Sequence, residues 1–171
     1  MVNSPFRRSL AAMLLGVLVS LAANAAPLGQ PAERAILTVS GKISDTNKDG
    51  SAVFDRAMLE GLGMMSFVTS TPWYQEKVKF EGVSLDRLMT AVGASGDRIV
   101  VIALNDYSAE LPIADAKKYK VMLALKRDGE YMSVRDKGPL FIVYDFDSDP
   151  DLRNQKFYAR SVWQIARIEV K

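Results

Sequence analysis

Four aspartates alternate along one stretch, Asp145, Asp147, Asp149 and Asp151, interrupted by Pro150. Carboxylates at that spacing are hard oxygen donors of the kind that hold Ca²⁺ or Mg²⁺. With Arg153 and Lys156 beside them they read instead as a solvated charged loop. A second run, Asp45-Thr46-Asn47-Lys48-Asp49-Gly50, matches the opening of a calcium loop, D-x-[DN]-x-[DN]-G. The Glu such a loop requires at its twelfth position is Arg56, and no helical pattern precedes the run. An Asx- and Gly-rich turn is the better reading. The chain has neither cysteine nor histidine. That excludes structural zinc, His-ligated haem, a cysteine nucleophile and a Ser-His-Asp triad. Acid–base or nucleophilic work is left to Asp, Glu, Lys, Tyr and Ser. No set of them marks a catalytic centre, and no metal site is expected.

Aromatic residues are the other chemically informative group. Trp73, Tyr74, Tyr107, Tyr144, Phe146 and Trp163 fall at strand ends and turns, where aromatics line ligand clefts. Trp163, on a late strand, reads as core packing. Arg127, Arg135 and Arg160 are anion contacts to consider, although each residue type is mostly found at the surface.

The elements that must position these residues follow from periodicity and punctuation. Ala35–Gly41 reads as a first strand and Ser44–Gly50 as a polar loop. Asp55 is placed to cap a helix running to Leu62 and ending at Gly63, with Phe54 and Leu59 as a hydrophobic staple. Met64–Ser70 and Lys77–Glu81 are strand-like, separated by a turn at Thr71-Pro72-Trp73. Ser84 is placed to cap a second helix with apolar Leu85, Leu88, Met89 and Val92, ended by Gly93. Ile99–Leu104 reads as a buried strand. Val121–Lys126 and Tyr131–Val134 flank Asp128-Gly129, a strong hairpin signal. Leu140–Tyr144 and Ile165–Val170 complete the strands. In the last, alternation puts Ile165 and Arg167 on one face and Ala166 and Ile168 on the other. The sum is an α+β, largely β, single domain.

The first residues have a different character. Arg7 and Arg8 precede an apolar run, Leu10–Ala22, and then Ala23-Asn24-Ala25, a small-x-small cleavage pattern. Residues 1–25 therefore read as a signal peptide, residues 26–34, with Pro27 and Pro31, as a tether, and residues 35–171 as the domain. The apolar run is shorter than the roughly 20 residues that span a bilayer. The expected product is periplasmic, with no stable membrane anchor after cleavage. Arg7 and Arg8 also account for the whole excess of 22 basic over 20 acidic residues. The mature domain is formally neutral and has no electrostatic footprint for nucleic acid.

One ordered series of motifs resembles a known family. Phe80-Glu81-Gly82-Val83-Ser84-Leu85 is similar to the x-G-V-P-L-x-x-L-L segment of the sulfite-oxidase-like molybdopterin-binding domain. Ala103-Leu104-Asn105-Asp106-Tyr107 followed by Pro112 resembles its A-x-D-G-Y step. Asp128-Gly129, Gly138-Pro139-Leu140 and Ser161-Val162-Trp163 through Val170 fall in the same order. The resemblance covers about residues 36–171. It implies a sulfite-oxidase-like molybdopterin-binding fold, with molybdopterin or a small anionic or pterin-like ligand in a central cleft. By the same resemblance the cleft residues are Trp73, Asn105, Asp106, Tyr107, Arg160 and Ser161, with the Arg160-Ser161 step placed to meet a phosphate. The departures are specific. Active relatives hold molybdenum through a Cys thiolate; the matching stretch here, Thr69-Ser70-Thr71-Pro72-Trp73, contains none. The position of a common Lys before the late Trp is Val162. The expectation is a non-redox protein that binds a ligand or a partner, such as a membrane signalling or redox protein. The alternative is a molybdopterin-dependent oxidoreductase whose metal is held by the pterin dithiolene alone.

Overall fold

In a computed structural model the described residues are 28–171. The expected signal peptide and the first two tether residues lie outside them. Gly29 accepts a hydrogen bond from Asn47 Nδ2 at 2.7 Å, and the Ala32 and Glu33 N–H groups donate to Asp55 Oδ2.

Two five-stranded sheets form the domain. The first contains β1 (Leu37–Gly41), β2 (Ala52–Phe54), β5 (Arg98–Ala103), β6 (Ser108–Pro112) and β10 (Ile165–Val170), in the order β2-β1-β10-β5-β6. β1 and β10 are parallel and the other pairs antiparallel. The second contains β3 (Met64–Thr69), β4 (Val78–Ser84), β7 (Val121–Arg127) and β8 (Glu130–Tyr131) in sequence order, with β9 (Phe141–Tyr144) also on β7. The sheets are stitched together where Ile142 N–H donates to Val162 O and Ile165 N–H to Leu140 O. Among the described residues four short helices fill the gaps: α1 (Arg56–Gly61), α2 (Leu85–Ala91), α3 (Ile113–Lys118) and α4 (Gln155–Arg160). The architecture is α+β and largely β, as expected.

β7 explains how one core serves two sheets. Val121 to Leu125 are all buried, on both faces of the strand. Such a run needs cover on each side. Leu85, Leu88 and Met89 of α2 are buried in the same core as Phe80, Phe141 and Tyr144. The Asp128-Gly129 turn takes positive φ at both residues, 51° and 89°, between the paired Arg127 and Glu130. That is the two-residue hairpin the Asp-Gly signal announces. The returning strand stops at Tyr131, short of Val134, because Val134–Asp136 winds into a 3-10 turn.

Local expectations divide. Asp55 caps α1, accepting from Met58 N–H at 2.9 Å. Ser84 does not cap α2 through its side chain: it is the last residue of β4, paired with Met122, and its hydroxyl makes no capping bond. The alternation in β10 is broken. Ile165 and Ile168 are both buried, while Arg167 is exposed. The pairing with β5 slips between Ile165 and Arg167, and such a bulge returns the next residue to the core face.

Candidate functional site

Three segments converge at the junction of the sheets: the β3–β4 loop, the β5–β6 turn and the stretch from α4 into β10. They enclose a cavity of about 470 Å³. Each wall has a local cause. In the β5–β6 turn, Asp106 adopts φ 63°, and Tyr107 N–H donates to Asn105 Oδ1 at 3.2 Å. This Asx turn leaves Tyr107 53% exposed at the cavity. α4 starts at Asn154, whose side chain accepts from Lys156 N–H, and it carries Gln155 and Tyr158 onto the opposite wall. Trp73 is the centre of the aromatic wall. Its ring meets Phe141, Phe146, Tyr158 and Trp163 edge to face, with centroids 5.4, 6.1, 6.1 and 5.7 Å away. Trp163 is 37% exposed and lines the cavity, so it is not the plain core residue its strand position implied. The Lys137 ammonium lies 4.3 Å from its ring centroid.

Of the residues expected at a cleft, Trp73, Asn105, Tyr107 and Ser161 line this cavity. Ser161 is buried and donates its hydroxyl to Phe157 O at 3.0 Å. Asp106 and Arg160 are not among the lining residues. Asp106 is paired with Arg167 at 3.0 Å on the surface. Arg160 turns into the protein, where Nη1 meets Asp115 Oδ2 at 2.6 Å, and Tyr144 donates its hydroxyl to the same oxygen at 2.8 Å. Burial, with the Asp115 charge next, pushes the Tyr144 phenol far above its ordinary range. Arg160 thus anchors the end of α4 rather than presenting a fork to a phosphate. Tyr158 and Gln155 were not foreseen, because nothing in the sequence marked α4.

The aspartate run is not uniformly solvated. Asp147 Oδ2 accepts from Ser70 N–H and Ser70 Oγ and lies 2.9 Å from Lys77 Nζ. Arg153 Nη2 reaches Oδ1 at 2.6 Å. Lys77 first, then the Ser70 N–H and Arg153, hold the Asp147 carboxyl at about 2, against the opposing effect of burial. Asp145 is buried, with Lys120 at 3.8 Å, and Asp149 accepts from Asp151 N–H. The calcium-like turn is likewise structural: Asn47 Oδ1 accepts from Val53 N–H, and its amide donates to Gly29 O and Val53 O. Among the described residues no group of three or more Asp or Glu side chains is arranged to hold a metal ion.

Thr69-Ser70-Thr71-Pro72-Trp73 is the stretch that the resemblance sets against the metal thiolate. Thr69 is fully buried, and its hydroxyl accepts from Asp147 N–H and points to Ser70 O. Ser70 is engaged by Asp147. These are neutral, already hydrogen-bonded oxygens, and the chain contains no thiol. A soft sulfur donor has no substitute here, so the residues do not fit a protein-ligated molybdenum. Trp73, Tyr158 and Trp163 bring aromatic rings to the cavity lining, and Asn105 and Gln155 bring amides to it.

A family model described as oxidoreductase molybdopterin binding domain matches residues 55–144, just over half of the chain. No curated protein matches the chain. The matched stretch supplies Trp73, Asn105 and Tyr107; the opposite wall, with Tyr158, Ser161 and Trp163, lies beyond it.

Proposed function

Because the chain belongs to the oxidoreductase molybdopterin-binding domain family, we propose that it is a non-redox member that binds a pterin-like molecule in the aromatic cavity. It acts in the periplasm after removal of residues 1–25, as a sensory or accessory protein for a membrane signalling or redox partner. The observation that carries the reading is the pairing of an aromatic-walled cavity with the lack of any thiol. The aromatic rings lining the cavity support a pterin-like ligand, and the chain has no thiol of the kind that holds the metal in active relatives. The leader pattern Ala23-Asn24-Ala25 supports export.

Purification from the native host, followed by mass spectrometry of bound small molecules and metal analysis, tests the reading. A pterin-like compound without stoichiometric molybdenum is the expected result. Stoichiometric molybdenum would overturn it and favour an oxidoreductase whose metal rests on the pterin dithiolene alone. N-terminal sequencing of the periplasmic fraction should begin at Ala26; Met1 or Val2 on a membrane-bound product would refute export.

A further inference from the structure

The edges of the two sheets are not treated alike. β2 has three residues, and the Asn47 side chain takes both the N–H and the carbonyl of Val53. β6 carries Glu110, which pairs with Arg98, and ends on Pro112. β8 has two residues. Short strands, charges and proline are the usual protections of an edge. β3 has none of them. It reads Met64-Met65-Ser66-Phe67-Val68-Thr69, six residues without a charge or a proline, at the end of the second sheet. Its register with β4 is unbroken from Met64 to Thr69, so no bulge turns the edge aside. Half of its backbone N–H and C=O groups face away from β4. Among the described residues no backbone group of β3 bonds to anything beyond β4. The side chains match this bare edge. Met64 and Val68 are 39% and 54% exposed on one face, with Ser66 exposed between them. Met65 and Phe67, on the other face, are partly buried against the core, and Phe67 meets Phe80 edge to face at 6.5 Å. The strand is held in place while its open side stays apolar on both faces.

We propose that β3 is a dimerisation edge: it pairs antiparallel with β3 of a second copy of this chain, about a two-fold axis at Ser66. A two-fold axis normal to the sheet keeps each face continuous, so residues of one face meet residues of the same face. With Ser66 on the axis, Met64 falls opposite the second copy's Val68 and Met65 opposite its Phe67. Every apolar side chain from Met64 to Val68 then meets an apolar one. An axis at Phe67 would instead set Val68 against Ser66 and Met65 against Thr69. Charge and closure identify the occupant. An uncharged strand offers no counter-charge to an acidic or basic segment, whereas its own copy matches it. The two-fold contact consumes both bare edges, so the assembly stops at two. Six residues at about 3.4 Å each give a junction only about 20 Å long. The dimer is therefore reversible, with a dissociation constant of about micromolar or weaker. The pairing does not depend on what fills the aromatic cavity.

Sedimentation velocity of the purified protein from about 1 µM to about 1 mM provides the test. The parent should pass from monomer to dimer across that range, and hydrogen exchange at the β3 amides should slow as it does. Ser66→Lys sets like charges face to face on the axis and should weaken the dimer about tenfold or more. Val68→Lys should also weaken it. Adding Met64→Glu to Val68→Lys should restore the dimer, because the register sets the two new charges opposite each other across the junction, and added salt should undo that rescue. A parent that stays monomeric throughout overturns the proposal, even if β3 accepts a strand from some other protein. A dimer that Ser66→Lys leaves intact overturns it too, since its interface then lies elsewhere. Failure of the double variant to recover refutes the axis at Ser66. Ser66 and Val68 are exposed, and the parent measurement needs no variant, so a folding defect does not shield the proposal.

Discussion

Arg160→Ala tests the placement of that side chain most directly. Arg160 and Asp115 keep only 17% and 12% of their side-chain surface exposed, and their contact is 2.6 Å. Removing the guanidinium leaves the Asp115 carboxylate buried with one remaining partner, the Tyr144 hydroxyl. Breaking a buried pair on one side costs roughly 3–5 kcal/mol, because a charge is left uncompensated. The surviving hydrogen bond puts this case at the lower end, about 3 kcal/mol. With a urea slope of about 1–3 kcal/mol per molar, the midpoint should fall by roughly 1–3 M. Thermal melts should drop by about 6–12 °C. Asp115→Asn in the same background should recover part of the loss, since it removes the stranded charge and keeps an acceptor for Tyr144. Urea denaturation of the parent, Arg160→Ala and Arg160→Ala/Asp115→Asn provides the measurement. A midpoint for Arg160→Ala within error of the parent would refute the buried pair and return Arg160 to the solvent or to a ligand.

Further outcomes follow from particular contacts. Asp147 is held at about 2, below its ordinary 3.8, so its stabilisation is complete above the ordinary value and is lost as pH falls from about 4 through about 2. With Lys77 and Arg153 largely solvated, the loss should be about 1–2 kcal/mol; acid titration of stability should show a step there that Asp147→Asn removes. By denaturant unfolding, Ser84→Ala should change stability by less than about 0.5 kcal/mol, since no cap bond is lost, whereas Leu88→Ala should cost about 2–5 kcal/mol by emptying core volume. Equal effects from that pair would mean α2 is not seated as described. Gly82→Ala should be severely destabilising, because a Cβ there would run into the Leu123 carbonyl and the Ala124 backbone; a near-parental melt would contradict the close approach of β4 and β7.

The longer elements were legible because their signals are local. β1, β4, β5, β7 and the Asp128-Gly129 hairpin show in short apolar runs and turn residues, and α1 in its Asp55 cap. β2, β6, α3 and α4 were not legible. β2 has three residues and α3 and α4 six each, too short for a period to register. β6 carries Ser and Glu and ends on a proline. The site divided along the same line. Trp73, Asn105 and Tyr107 sit beside recognisable turns. Tyr158 was hidden on α4, and Trp163 was read as core because strand position says nothing about a cavity beside it. Arg160 was misplaced for a different reason: its partner is 45 residues away, and no local pattern announces such a pairing. The same holds for Asp147 and Ser70, 77 residues apart.

The parallel pairing of β1 with β10 sets an order of events. Thr38 to Gly41 find their neighbours at Arg167 to Val170, so the middle of the first sheet is built from opposite ends of the domain. A chain emerging with β1 first must carry that strand half-paired until β10 is free. β2 can zip onto one edge at once, but the other edge stays open over the whole passage. Loop closure of that span is an entropic debt met only at the last step, so acquisition of the native sheet should be slow for a domain of this size. Through that interval the exposed edge is a template for stray strands. A holdase that covers β1, or rapid delivery of the last strand, is what such a topology asks of its surroundings.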